Sequence, residues 1–162
     1  MGVADLTSER GLTIRQRAVA ALKLRMEGMQ DDGVDVWRNV YMGDLEDIDN
    51  QACPAAAIDF GMEEMLNNTF PCSTYSLPVF LNFRYRGQRG LDEHNAYMYY
   101  LGLLQFAMLG EHTLGGLTLD VKEVSNASSI IGIEDTYPGG TLVTEVIYRT
   151  RLHNPYNSPS EA

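Results

Sequence analysis

The sequence predicts an α+β fold, in which a mixed, mainly antiparallel sheet is packed by two α-helices in a single domain. Three observations lead there. In residues 77–85, LPVFLNFRY, the apolar Leu77, Val79, Leu81, Phe83 and Tyr85 alternate with Pro78, Phe80, Asn82 and Arg84 at period two, the strongest strand signal in the chain. Asp92–Leu109 is apolar on nearly all sides over a helical length. Most neighbouring strand-like segments are joined by short turns, which implies antiparallel pairs. A length of 162 residues suits one domain with one core.

Thr13–Gln16, TIRQ, has the form of a capping box, with hydroxyl and amide serving free backbone amides. The following segment places Ile14, Ala18, Ala21, Leu22, Met26 and Met29 near one face, while Arg15, Arg17, Lys23 and Arg25 fall mostly elsewhere. Gly28 and Asp31–Gly33 end this helix. Val34–Met42 is expected as a strand and Ala55–Met62 as a second, with Gly61 marking its end. Between them GDLEDIDNQACP carries Asp44, Glu46, Asp47 and Asp49, too many carboxylates for a core and therefore an exposed acidic loop.

Asn67–Ser73 is expected as a turn, and the Leu77–Tyr85 strand follows, with Pro78 near its start. Gly87–Gly90 breaks it. Asp92 is the expected N-cap of the second helix and Gly110 its stop. That helix, apolar almost all round, is expected to be the more buried one. Leu117–Lys122 alternates as a strand, Ser125–Ser129 is a polar loop, Ile130–Ile133 is a short strand and Tyr137–Gly140 a turn. Thr141–Leu152 is the last long strand. The domain is thus expected to span 1–152, with 153–162 a flexible tail. No internal repeat or linker divides it.

Composition narrows the function classes. The chain is 44% apolar and 21% charged, with a formal net charge of −10. An acidic surface repels phosphates, which argues against a surface that grips nucleic acid throughout. Cys53 and Cys72 form no CxxC pattern. MGVADLTSER lacks the apolar core of a secretory signal, and no apolar run reaches the length of a membrane span. A soluble, intracellular, reducing context is the expectation.

No catalytic site is expected. Both cysteines neighbour prolines, His94, His112 and His153 lie far from them in sequence, and no G-x-S-x-G elbow occurs. No metal is expected either. The acidic run lacks the glycine and the terminal glutamate of a calcium loop, and no two histidines share a helix face at ligand spacing. Gly115–Gly116 and Gly139–Gly140 precede strands rather than helices, so no phosphate cradle or other cofactor site follows. Arg84, Arg86 and Arg89 cluster at a strand end, as a solvated terminus or as a contact patch for an acidic neighbour.

The order of elements, together with CPAAAI at Cys53–Ile58, HTLGGL at His112–Leu117 and VIYRTRLHNPY at Val146–Tyr156, resembles the tail terminator (tail completion) proteins of long-tailed bacteriophages. The resemblance spans nearly the whole chain. It implies a non-enzymatic virion protein of the tail or neck, assembled in the host cytoplasm. Such a protein forms a ring, commonly a hexamer, that caps the tail tube protein and meets the head–tail connector or head completion protein. DNA would pass through without specific binding. A ring needs two different contact patches. Arg84, Arg86 and Arg89 are the candidates for one, and Asp44, Glu46, Asp47 and Asp49 for the other or for the lumen wall. Two alternatives stand beside this. One is another neck ring, such as a head completion or head–tail adaptor protein. The other is a small α+β enzyme or ligand-binding domain using the polar groups near His94 and His112.

Overall fold

The computed structural model describes residues 11–43, 45, 52–86, 93–128 and 138–159. Their elements run α1 (Ile14–Glu27), β1 (Gln30–Asp31), β2 (Val34–Asp35), β3 (Asn39–Met42), β4 (Ala55–Phe60), β5 (Glu64–Thr69), β6 (Cys72–Arg84), α2 (Glu93–Leu109), β7 (Asp120–Ser128) and β8 (Gly139–Arg151). The sheet order is β3-β4-β6-β8-β7, with β5 also on β6 and β1-β2 a separate hairpin. Only β3 and β4 pair in parallel; the other strand pairs are antiparallel. This is the mixed, mainly antiparallel α+β architecture that the alternation and turns predict.

The centre is the β6–β8 ladder, which runs unbroken from Cys72↔Arg151 to Arg84↔Gly139. Because side chains alternate across a strand, Leu77, Val79, Leu81 and Phe83 share one face with Val146, Thr144 and Leu142. All seven are buried beneath the helices. Thr144 is polar there, and its hydroxyl donates to the Val79 carbonyl at 3.0 Å, so its burial leaves no lost hydrogen bond. Trp37, Phe83, Tyr85, Tyr97 and Tyr100 stack on one another at one end of this face.

Helix α1 begins as expected. The Thr13 hydroxyl accepts from the Gln16 amide, and the Gln16 side chain accepts from the Thr13 amide. Ile14, Ala18, Val19, Leu22 and Met26 form its buried stripe. Both helices lie on the same face of the sheet: α1 contacts β3, β4 and β8, and α2 contacts β7 and β8.

Several expectations are corrected. The strand expected over Val34–Met42 is divided. Asp32 and Gly33 have positive φ, which makes Asp-Gly a tight hairpin turn between β1 and β2. The chain then leaves strand geometry so that Val36 and Trp37 enter the core. The turn expected at Asn67–Ser73 is mostly strand: β5 ends at Thr69, β6 begins at Cys72, and only Phe70–Pro71 turns. Pro78 lies in the middle of β6 rather than near its start. Lacking an N–H, it faces the break between β4 and β5, where its carbonyl accepts from Gly61 at 2.9 Å. The Leu117–Lys122 strand starts only at Asp120, because Thr118 bonds back to Thr113. The polar Ser125–Ser128, expected as loop, completes β7 along the open edge. Gly139 and Gly140, expected in a turn, open β8.

Helix α2 is not buried all round. Leu101, Leu104 and Met108 are in the core, but Met98, Tyr99 and Phe106 are exposed, Phe106 by 84%. Within residues 153–159 the Pro155 carbonyl accepts from the Ile14 amide, and the Tyr156 carbonyl from the Arg17 guanidinium. The Asp92 cap, the Gly87–Gly90 break and the Ile130–Ile133 strand lie outside the described residues, as does most of the acidic loop. No helix among the described residues is long and apolar enough to cross a membrane.

Candidate interaction surfaces

The face of the sheet opposite the helices carries the first surface. Because β3 and β4 are parallel, the chain between them, residues 43–54, must travel back along the strands. Within this segment Leu45 is buried against Ala55 and Ala57, on the helix-free face. Arg84 is paired with Ala55 and so lies half-buried on this face. Arg86 is exposed, and its Nε donates to the Cys53 carbonyl at 3.1 Å. The anchor of the acidic loop and two of the three candidate arginines therefore sit at one end of the same face. Asp44, Glu46, Asp47, Asp49 and Arg89 themselves lie outside the described residues.

Further along this face, Glu145 accepts from the Ser76 hydroxyl and lies 3.4 Å from the Lys122 ammonium. These two contacts, the hydroxyl first, lower its pKa. Tyr148, buried, donates to Glu63, and burial followed by that bond raises its pKa. Tyr99, hydrogen-bonded to Asp31, is pushed up to about 12. Each shift moves its group away from neutral pH. These residues act as fixed donors and fixed charges, whereas proton transfer at neutral pH calls for groups poised near 7.

The histidines are dispersed. His112 lies 3.2 Å from Asp120, both well exposed, and His153 is exposed at a positive φ. The side chain of His94 lies outside the described residues. Cys53 is buried and Cys72 half-buried, and neither is in a disulfide. Among the described residues, no three His, Cys, Asp or Glu side chains converge as a metal group.

The second surface was not expected. Strand β5 is exposed at every position. Met65 is 53% and Leu66 48% exposed, Met62 precedes them at 91%, and Phe70 at the turn reaches 82%. Leu66 is the extra residue of a β-bulge, because Met65 faces Tyr75 and Asn67 faces Thr74. Next to the root of this arm is a groove of about 350 Å³ between α1 and the ends of β3 and β4. Leu12, Val19, Ala20, Met42 and Phe60 line it, with Arg15 and Lys23 beside them. Sequence reading missed this edge because Asn67-Asn68 signals a turn. The adjacent apolar pair Met65-Leu66 was the available sign of a strand that needs cover.

No protein-family model matches the chain, and no curated protein matches it.

Proposed function

We propose that this chain is a structural virion protein whose copies form a ring capping a bacteriophage tail tube and joining it to the head connector. DNA passes through the hole. The observation that carries this reading is the β5 arm. Among the described residues β5 pairs only with β6, and a strand with solvent on both faces and an unpaired edge is a template for another chain. Exposed apolar residues gathered along one edge mark an interaction surface. Among the described residues, seven of the fourteen exposed large apolar ones, Leu12, Met42, Phe60, Met62, Met65, Leu66 and Phe70, lie along this one side of the sheet. The resemblance to tail terminator proteins supplies the kind of assembly, and the net charge of −10 suits a channel through which DNA slides.

Imaging of assembled particles tests it. The expected result is a closed ring of this chain, probed by a specific antibody or resolved directly, at the head-proximal end of the tail tube. A single copy or a two-fold pair in the particle overturns the ring. A ring at the portal end of the neck replaces the terminator role with that of a head completion or adaptor protein.

A further inference from the structure

The groove and the arm are complementary in chemistry but kept apart within one subunit. The groove is apolar at its base and carries two cations, Arg15 and Lys23, on its α1 side. The arm offers an exposed carboxylate, Glu64, followed by Met65 and the bulged Leu66, and ends in Phe70. Its docking residues are held away from their own groove by pairing with β6. Phe60, in the groove, faces Val79 of β6, while Met65 faces Tyr75, four residues further along the same strand. At about 3.3 Å per residue, that is a separation of about 13 Å.

Lys23 lies 2.9 Å from Glu27 in a partly exposed pair one helical turn apart, and such a pair exchanges readily for a better partner. Arg15, 45% exposed, lies 3.5 Å from the Glu63 carboxylate, which is only 15% exposed and also accepts from Tyr148. Copies of a chain with net charge −10 repel one another, so a self-contact is favoured where a cationic rim meets a carboxylate.

We infer that the groove between α1 and the ends of β3 and β4 receives the β5–β6 arm of a second copy. Met65 and Leu66 fill the apolar base, and Glu64 faces Arg15 and Lys23. Donor and acceptor patches are different surfaces of one subunit, so the contact is heterologous and propagates from copy to copy until it closes. This rests on the ring reading for its closure and names the surfaces that would mate.

Disulfide trapping tests it. Ala20, exposed on the groove wall, is changed to Cys together with Leu66→Cys, in a Cys72→Ser background that leaves only the buried Cys53. Under mild oxidation the double variant is expected to give a ladder of covalent multimers ending at the ring number. Each single-cysteine variant stops at two copies. A double variant that gives no ladder overturns the arm-in-groove contact. If particles still show a ring, the ring reading stands with other surfaces at its joints. If a ladder forms but particles hold no ring, the contact stands and the ring reading falls. Ala20→Trp fills the groove from an exposed helix position and is expected to abolish multimers. If it blocks tail capping although no copies cross-link, the groove belongs to a different protein and the second-copy assignment is overturned.

Discussion

Two residues show how little freedom some positions have. A Cβ on Gly139 would lie 2.0 Å from the Phe83 carbonyl oxygen, and one on Gly140 2.5 Å from the Tyr97 ring. These contacts are made by backbone and packed aromatics, which cannot swing aside. Gly139→Ala is therefore expected to destabilise the fold by about 1–3 kcal/mol, as overpacking does, read as a lower denaturation midpoint. Glu111 is a different case, an exposed carboxylate that stitches a turn. It accepts from the Thr113 hydroxyl, the Thr113 amide at 2.8 Å, the Gly115 amide at 3.0 Å and Arg25 at 3.0 Å. These bonds, the hydroxyl first, lower its pKa from 4.5 to about 2. A depressed folded-state pKa means that the stabilisation is complete above about pH 4.5 and lost as the pH falls toward 2. The stability gap between the protein and Glu111→Gln is expected to be widest near pH 7 and to close by pH 2. Denaturant titrations at both values measure it, and a gap independent of pH would refute the assignment.

Helix α1 holds three parts of the molecule together. Its apolar stripe covers the sheet, Arg25 reaches Glu111 after α2, and its first turn receives the returning C-terminal segment at Ile14 and Arg17. Its N-terminus is closed by the Thr13–Gln16 box. Thr13→Ala removes the oxygen that accepts from the Gln16 amide and is expected to cost about 1 kcal/mol, read from equilibrium unfolding. Thr13→Asp, which keeps an acceptor and adds charge at the positive end of the helix, is expected to restore it. Strand β6 governs the other side of the molecule in a similar way. Pro78 interrupts pairing on one side only, so β4 stops at Phe60, β5 starts at Glu64, and the β8 ladder continues unbroken.

The assembled molecule is where the acidic loop matters. Leu45, within it, is buried on the helix-free face, which also carries Arg84. Replacing Asp44, Glu46, Asp47 and Asp49 together by Lys is expected to leave the fold intact, since exposed charges usually change stability by under about half a kcal/mol each. If the loop lines the channel, particles assemble but release DNA slowly, with a new dependence on salt as phosphate contacts appear. If the loop meets a neighbouring protein, tails fail to cap or to join heads. Normal joining with normal ejection would remove both roles.

The fold class, the α1 cap, the span of α2 and the alternation of the central strands were all legible in the residues. Each depends on periods of 2 or 3.6 and on capping chemistry, which are local. The parallel pairing of β3 with β4 was not legible, because it depends on how residues 43–54 cross the sheet. Strand β5 was hidden for a related reason. EMLNNT has weak strand propensity, and only the pairing offered by β6 makes it extended. The exposure of Met98 and Phe106 on an apolar helix likewise depends on two helices sharing one sheet face, which leaves the outer side of α2 uncovered. Among the candidate site residues, the clusters of charge could be read along the chain, but their positions could not. Leu45 packs on the face that carries Arg84, and that contact is made with Ala55 and Ala57, in a strand ten residues away. Local chemistry selects the elements; long-range pairing and the burial it allows decide which surfaces are left for a partner.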